Sequence, residues 1–310
     1  MASLRKRIAK ILLVVLLSPA SAWAANHGIR LTDDRGETLR LSATASRPAA
    51  ISTFGADVAL ALGTVPVAVT DYGLQGVPEY LASQLSGVPG LGPRHQPNLE
   101  VLSSVQPDLV IAIRRYTEKD GDQIEAIAPL LALDLITVED SLRGVESVGQ
   151  ALGAPAKATE LNARFMDRLQ TLAKANKAED TETVALLTSG SETPFVYYDH
   201  FLPTALLERL GFDNVGGEPP NPDSGIPLGY RISLEALLER DPDTILLLPT
   251  SRQRAFTMNP IWPYLKAVRN SQVHEVPQYW KEGAGPIARE RILEDIQRLL
   301  LDTTPPDATK

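Results

Sequence analysis

The chain has 310 residues, with 30 basic and 38 acidic side chains, a net charge of -8 and no cysteine. That balance excludes nucleic acid and anionic lipid as partners, and the lack of thiols excludes disulfides, thiolate metal sites, cysteine nucleophiles and a lipid-modified cysteine. The length suits two domains or one large one.

The opening segment MASLRKRIAK carries Arg5, Lys6, Arg7 and Lys10, and Ile11 to Leu17 is an unbroken apolar run. The run is far shorter than the ~20 residues of a membrane-spanning helix, and Ala22-Trp23-Ala24 supplies the small-x-small pattern of a leader-cleavage site. Residues 1–24 are therefore expected to be a cleaved signal peptide. Its four cations leave with it, so a mature chain of about 285 residues carries a charge near -12. With no lipid anchor, the mature protein is expected to be soluble and periplasmic.

Residues 25–46 are polar, with Asp33-Asp34-Arg35-Gly36 as a turn, and read as a leading hairpin. From Ala49 short β-branched runs alternate with amphipathic stretches: Ile51 to Phe54, a helix around Ala56 to Leu62, then Val65 to Thr70. This is the rhythm of a parallel sheet with crossover helices. An internal echo is more informative, because Asn98 to Ile113 aligns with Ser233 to Leu248 and shares Leu99/Leu234, Glu100/Glu235, Leu102/Leu237, Pro107/Pro242 and Asp108/Asp243. In each copy a polar residue caps a short helix, Pro-Asp stops it, and an apolar run forms a buried strand. Two lobes of one design follow. Between them Ala151 to Ala175 has Leu161, Phe165, Leu169 and Leu172 at helical spacing. A helix of ~25 residues spans ~37 Å, enough to run across both lobes. The second lobe is expected to open with a strand at Val184 to Leu187 and close with a helix from Gly285 to Leu301. The boundaries are thus 25–150 for the first lobe, 151–176 for the interlobe helix, 177–303 for the second lobe and 304–310 for a loose tail.

Ligands of parallel α/β sheets bind beyond the carboxyl ends of the strands, and the echo locates two such ends. Arg114-Arg115-Tyr116 follows one, and Pro249 to Phe256, with Arg252 and Arg254, follows the other. Arginine and aromatic residues at equivalent places predict a positive cleft that steers an anion inward. Tyr197, Tyr198 and His200 lie on a loop within reach of it. Catalysis finds little support: His27, His95, His200 and His274 are scattered, and neither HExxH nor GxSxG occurs. No cofactor and no protein-held metal are expected.

The segment GPRHQPNLEVLSSVQPDLVIAI, residues 92–113, resembles the periplasmic iron-siderophore binding proteins of the helical-backbone class, the solute receptors of ABC importers. The ferrichrome-type receptor is nearest in pattern. The shared order is Gly92-Pro-Arg94, Pro97-Asn98-Leu99-Glu100, a long interlobe helix, the Ser233 echo and Val276-Pro277-Gln278-Tyr279-Trp280. The resemblance covers about Ala49 to Leu300 and implies an α/β fold of two Rossmann-like lobes with parallel sheets joined by one rigid helix, the class III periplasmic binding protein arrangement. It implies a monomeric, non-enzymatic receptor that takes a ferric siderophore, the iron held by the chelator, and passes it to an inner-membrane permease. Carried over by position, Arg94 is the siderophore-contacting arginine, Tyr116 its partner from the neighbouring loop and Trp280 the aromatic wall of the second lobe. Arg115, Tyr198, Tyr230, Arg252 and Arg254 complete the candidate ligand site, while Glu118 or Asp122 and Glu235 are the candidate permease-docking acids.

Two departures matter. No tryptophan occurs at Pro227 to Tyr230, and Glu282 stands where such receptors have a tyrosine. Less aromatic surface with more arginine points to a citrate- or carboxylate-type chelate over a neutral hydroxamate. Haem, cobalamin or a free metal ion on the same scaffold remains open, with Tyr116, Tyr198 or His200 as a haem ligand. An exported α/β enzyme acting on an anionic substrate is the alternative from another class.

Overall fold

The computed structural model describes residues 28–71, 76–117, 119–176, 181–219, 228–250 and 253–302. The leader, Glu118, Arg252 and the tail lie outside the described residues. The chain opens with the antiparallel hairpin of β1 (Ile29–Thr32) and β2 (Thr38–Leu41). Asp33 of its turn is buried, accepts from Arg35 Nε at 2.7 Å and from the Ala132 amide at 3.2 Å, and so ties the hairpin to the first lobe.

That lobe is built on β3 (Pro48–Ile51), β4 (Ala68–Asp71), β5 (Gly90–Pro93), β6 (Leu109–Ile113) and β7 (Leu130–Leu133), ordered β5-β4-β3-β6-β7 and parallel throughout. Its helices are α1 (Thr53–Leu62), α2 (Leu99–Ser104), α3 (Arg114–Thr117), α4 (Gly121–Glu125) and α5 (Val138–Ala151). The long helix α6 (Pro155–Ala175) follows. It starts at Pro155 rather than at Ala151, because Gly153 adopts a left-handed φ of 72° that breaks it from α5.

The second lobe contains β8 (Thr183–Thr188), β9 (Phe195–Tyr197), β10 (Asp213–Asn214), β11 (Gly229–Arg231), β12 (Thr244–Leu247) and β13 (Val273–Glu275). Their order is β11-β9-β8-β12-β13, with β10 beside β8. The helices α7 (Leu202–Arg209), α8 (Leu234–Arg240), α9 (Lys266–Arg269) and α10 (Pro286–Ile296) pack around them. This sheet is mixed where a parallel one was expected: β9 runs antiparallel to both β8 and β11. The link from β8 to β9 is too short for the crossover that a parallel neighbour requires.

The echo in sequence is an echo in space. The Asn98 side chain accepts from the Val101 amide at 3.0 Å and the Ser233 side chain from the Ala236 amide at 3.1 Å, capping α2 and α8. The paired aspartates share a second duty. Asp108 accepts from the amides of Ser46 (2.7 Å) and Arg47 (2.9 Å) just before β3, and Asp243 from the Thr183 amide (2.9 Å) that begins β8. Each aspartate fixes the register of the neighbouring strand.

One apolar core runs through the whole molecule, joining Phe54, Leu131 and Val145 to Phe165 and Leu169 of α6 and to Leu186, Leu206, Trp280 and Ile292 of the second lobe. Polar contacts stitch the same seam. Asp57 of α1 is fully buried and accepts from the Ile287 and Ala288 amides at 2.8 and 2.9 Å, capping α10 from the other lobe. Buried Arg289 donates to Ser141 Oγ (3.0 Å) and Asn162 Oδ1 (2.8 Å) and lies 4.4 Å from the Phe165 ring centroid.

Candidate functional site

The loops after β5 and β6 bring Arg94, Arg115 and Tyr116 together. Arg94 Nη2 donates to Tyr116 Oη at 3.0 Å, and the guanidinium carbons of Arg94 and Arg115 lie 4.3 and 4.8 Å from the Tyr116 ring centroid. Burial alone would raise the Tyr116 phenol, but the two guanidiniums outweigh it and hold the phenol below its ordinary range.

From the second lobe the turn Gln278–Glu282 answers these cations. Glu282 forms an ion pair with Arg94 across the lobes, with side chains 6% and 21% exposed. Glu282 Oε1 rests on Arg94, whereas Glu282 Oε2 is buried without a hydrogen-bond donor and Arg115 Nη1 without an acceptor. Loss of water and repulsion from Arg94 hold neighbouring Lys281 below the usual lysine range. The site is therefore a buried cluster of charge in which several hydrogen-bonding positions are unfilled.

Two cavities are lined by residues outside this cluster. One, of 520 Å³, lies at the ends of β8, β11 and β12 and is lined by Ser189, Ser191, Tyr197, Leu228, Arg231 and Thr250. Arg231 donates to Ser191 Oγ at 3.0 Å. Burial pushes the Tyr197 phenol up, and Tyr116 adds to the shift, so the two phenols lie within electrostatic reach. The other, of 970 Å³, opens between the lobes, with Thr53, Val77 and Tyr80 on one side and Pro249, Gln278, Tyr279 and Arg291 on the other. Tyr80 and Tyr279 meet edge to face across it, with centroids 5.5 Å apart.

Other candidates fall elsewhere. Trp280 is no cleft wall: it is 0% exposed, belongs to the shared core and donates from Nε1 to Asp295 Oδ2 at 2.9 Å. The turn directs Lys281 and Glu282 to the cleft side and gives the large ring to the interior, where Asp295 satisfies the indole N–H. Arg254 is already committed, forking onto Glu275 at 2.6 and 2.7 Å and donating to the Leu248 carbonyl at 2.9 Å. Tyr198 is buried and clusters with His200 and Tyr230, at 6.0 and 5.2 Å between centroids, while Tyr230 Oη accepts from Arg240. Among the described residues no contact joins this cluster to Arg94. Asp122 and Glu235 are exposed in the first turns of α4 and α8. Sequence reasoning missed Lys281 and Arg231 as site residues, and it noted Glu282 only as a departure from pattern.

Residues 49–279 match the family described as periplasmic binding protein. A putative ABC transporter substrate-binding lipoprotein of Bacillus subtilis is 26% identical over 93% of this chain and 95% of its own. The Fe(3+) dicitrate-binding periplasmic protein of Escherichia coli is 27% identical over 96% of each chain. The crystal structure of Staphylococcus aureus SirA complexed with staphyloferrin B superposes with a TM-score of 0.74 at 23% identity, covering 88% of this chain and 98% of that one.

Proposed function

The chain belongs to the periplasmic binding protein family, and on that premise we propose that it captures a ferric siderophore of the citrate or carboxylate type between its lobes and hands it to an inner-membrane ABC permease. The observation that carries this reading is the Arg94–Arg115–Tyr116 cluster, met across the lobes by Glu282, with a guanidinium nitrogen of Arg115 that has no acceptor. Guanidinium forks match carboxylates in geometry and charge, whereas a neutral hydroxamate would leave them uncompensated. The burial of Trp280 takes away the aromatic wall that a bulky neutral chelate would lie against. An E. coli relative is a ferric dicitrate-binding protein, which agrees with this chemistry.

A ferric chelate brings its iron already wrapped in oxygen donors, so the protein's work is to grip the outside. In this reading Arg94 and Arg115 take ligand carboxylates, Tyr116 holds both guanidiniums in place, and Arg231 offers a further cation from the second lobe. Residues 25–150 and 177–303 act as the two jaws about the interlobe helix, in a monomer exported by its leader. Asp122 and Glu235, exposed on opposite lobes, are placed to meet basic pockets of the permease. Charge reversal at Glu235 tests this, with uptake lost and chelate affinity kept.

Haem is the second reading, because a phenol held low, as at Tyr116, is an iron ligand in waiting. The Arg94 donor on its oxygen opposes that use. Calorimetric titration of the metal-free protein with ferric citrate, a ferric trihydroxamate, a ferric catecholate, haem and cobalamin decides between them. Tight binding of ferric citrate, weakened at least tenfold in Arg94→Ala and Arg115→Ala, supports the proposal. A protein that ignores ferric citrate and takes haem or a hydroxamate overturns it.

A further inference from the structure

Arg94, the cation best placed to receive a ligand carboxylate, is occupied by Glu282. The occupant is unusual in three respects. It comes from the opposite lobe, its side chain is more than nine-tenths buried, and its second carboxylate oxygen, Oε2, receives no hydrogen bond. A structural ion pair that burial has cut off from water is normally completed by further donors. Another buried acid of this seam shows such completion, since Asp57 accepts three hydrogen bonds, from Ile287, Ala288 and Tyr80. Glu282 holds Arg94 with a carboxylate whose remaining valences are empty.

We propose that Glu282 is a specificity-determining residue: an internal stand-in for the ligand's carboxylate, seated on Arg94 until a chelate that brings its own carboxylate displaces it. This rests on the anionic-chelate reading of the same cleft and names how that selection is made. A ligand carboxylate exchanges one ion pair for another, so Arg94 is never left bare in the buried cleft. A chelate without a free carboxylate must break the pair and leave both charges uncompensated, which in a buried site is a heavy penalty. Glu282, once displaced, has Lys281 beside it as a cation of the same turn. Orphaned Arg115 Nη1 is then the second donor for the incoming group.

The sign of the expected effect separates this role from an ordinary ligand contact. If Glu282 competes with the ligand, removing its charge strengthens binding. If it grips the ligand, removal weakens binding. The test titrates ferric citrate into wild type, Glu282→Gln, Arg94→Ala and the double variant, each first shown by circular dichroism to melt cooperatively. Glu282→Gln is expected to bind about tenfold more tightly than wild type, and the gain is expected to vanish in the Arg94→Ala background, where there is no seat to vacate. A Glu282→Gln variant that binds equally or more weakly overturns the proposal, as does a gain that persists without Arg94, which would be a general charge effect. Wild type that takes up no ferric citrate is the separate outcome that removes the anionic-chelate reading itself, and the stand-in role with it. Should Glu282→Gln fail to melt cooperatively, Glu282→Met, similar in length and apolar, carries the same expectation and the same refutation.

Discussion

The buried carboxylate of Asp57 gives the sharpest test of how the lobes are joined. Burial pushes this acid up from 3.8 to about 6, against the pull of two α10 amides, the Tyr80 hydroxyl and Arg289. In the unfolded chain it titrates near its ordinary value, so between the two values the native state binds the extra proton. Its contribution to stability is therefore fully present below about pH 4 and is lost as pH rises through about 6. A gap of roughly two units at about 1.4 kcal/mol each makes the loss ~3 kcal/mol. The perturbation is Asp57→Asn, which keeps the shape and cannot titrate. Urea unfolding of both proteins at a series of pH values gives their stability difference, in which every other titrating group cancels. Wild type is expected to lose ~3 kcal/mol relative to the variant between pH 4 and pH 7. A difference that stays flat with pH, or one that grows in favour of wild type, would show that the amide donors hold the carboxylate low and refute the reasoning.

Tyr116 should ionise at lower pH than the other tyrosines, and ultraviolet difference titration of Arg94→Ala should move that first transition upward, because a guanidinium now holding the phenolate is gone. Tyr116→Phe should weaken ferric citrate binding several-fold through loss of the hydrogen bond that aims Arg94, with little change in melting temperature. Arg289→Ala should lower stability in urea by about 3 kcal/mol, since it strands Asn162 Oδ1 and Ser141 Oγ and leaves a void beside Phe165. Arg254→Ala should leave chelate affinity unchanged, because both its terminal nitrogens are engaged by Glu275 and Leu248.

The fold was readable where its causes are local. Asn98 and Ser233 cap helices by reaching three residues ahead, and the apolar runs Leu109–Ile113 and Thr244–Leu247 are buried strands whatever lies beyond them. The rule that ligands bind beyond strand ends also singled out Arg115 and Tyr116, while Arg94 came from the family resemblance, and the structure brings the three together. What the sequence hid was the fate of each group's partner. Trp280 is interior because Asp295 accepts its N–H, Arg254 is spent because Glu275 stands across a strand, and Arg94 meets Glu282 only when the lobes come together. The antiparallel β9 was missed because the alternation of strands with helical stretches predicts parallel neighbours, and the short link after β8 has no room for a crossover.

The cap that α10 receives from Asp57 also orders events in time. α10 belongs to the last part of the chain to be made, yet it supplies two of the three donors to a carboxylate on α1 of the first lobe, the third being the Tyr80 hydroxyl. Until the carboxyl-terminal segment arrives, that carboxylate lies on the open face of the leading lobe, and the lobe does not close this seam with its own residues. The packing of the first half of the chain is thus finished only by the last.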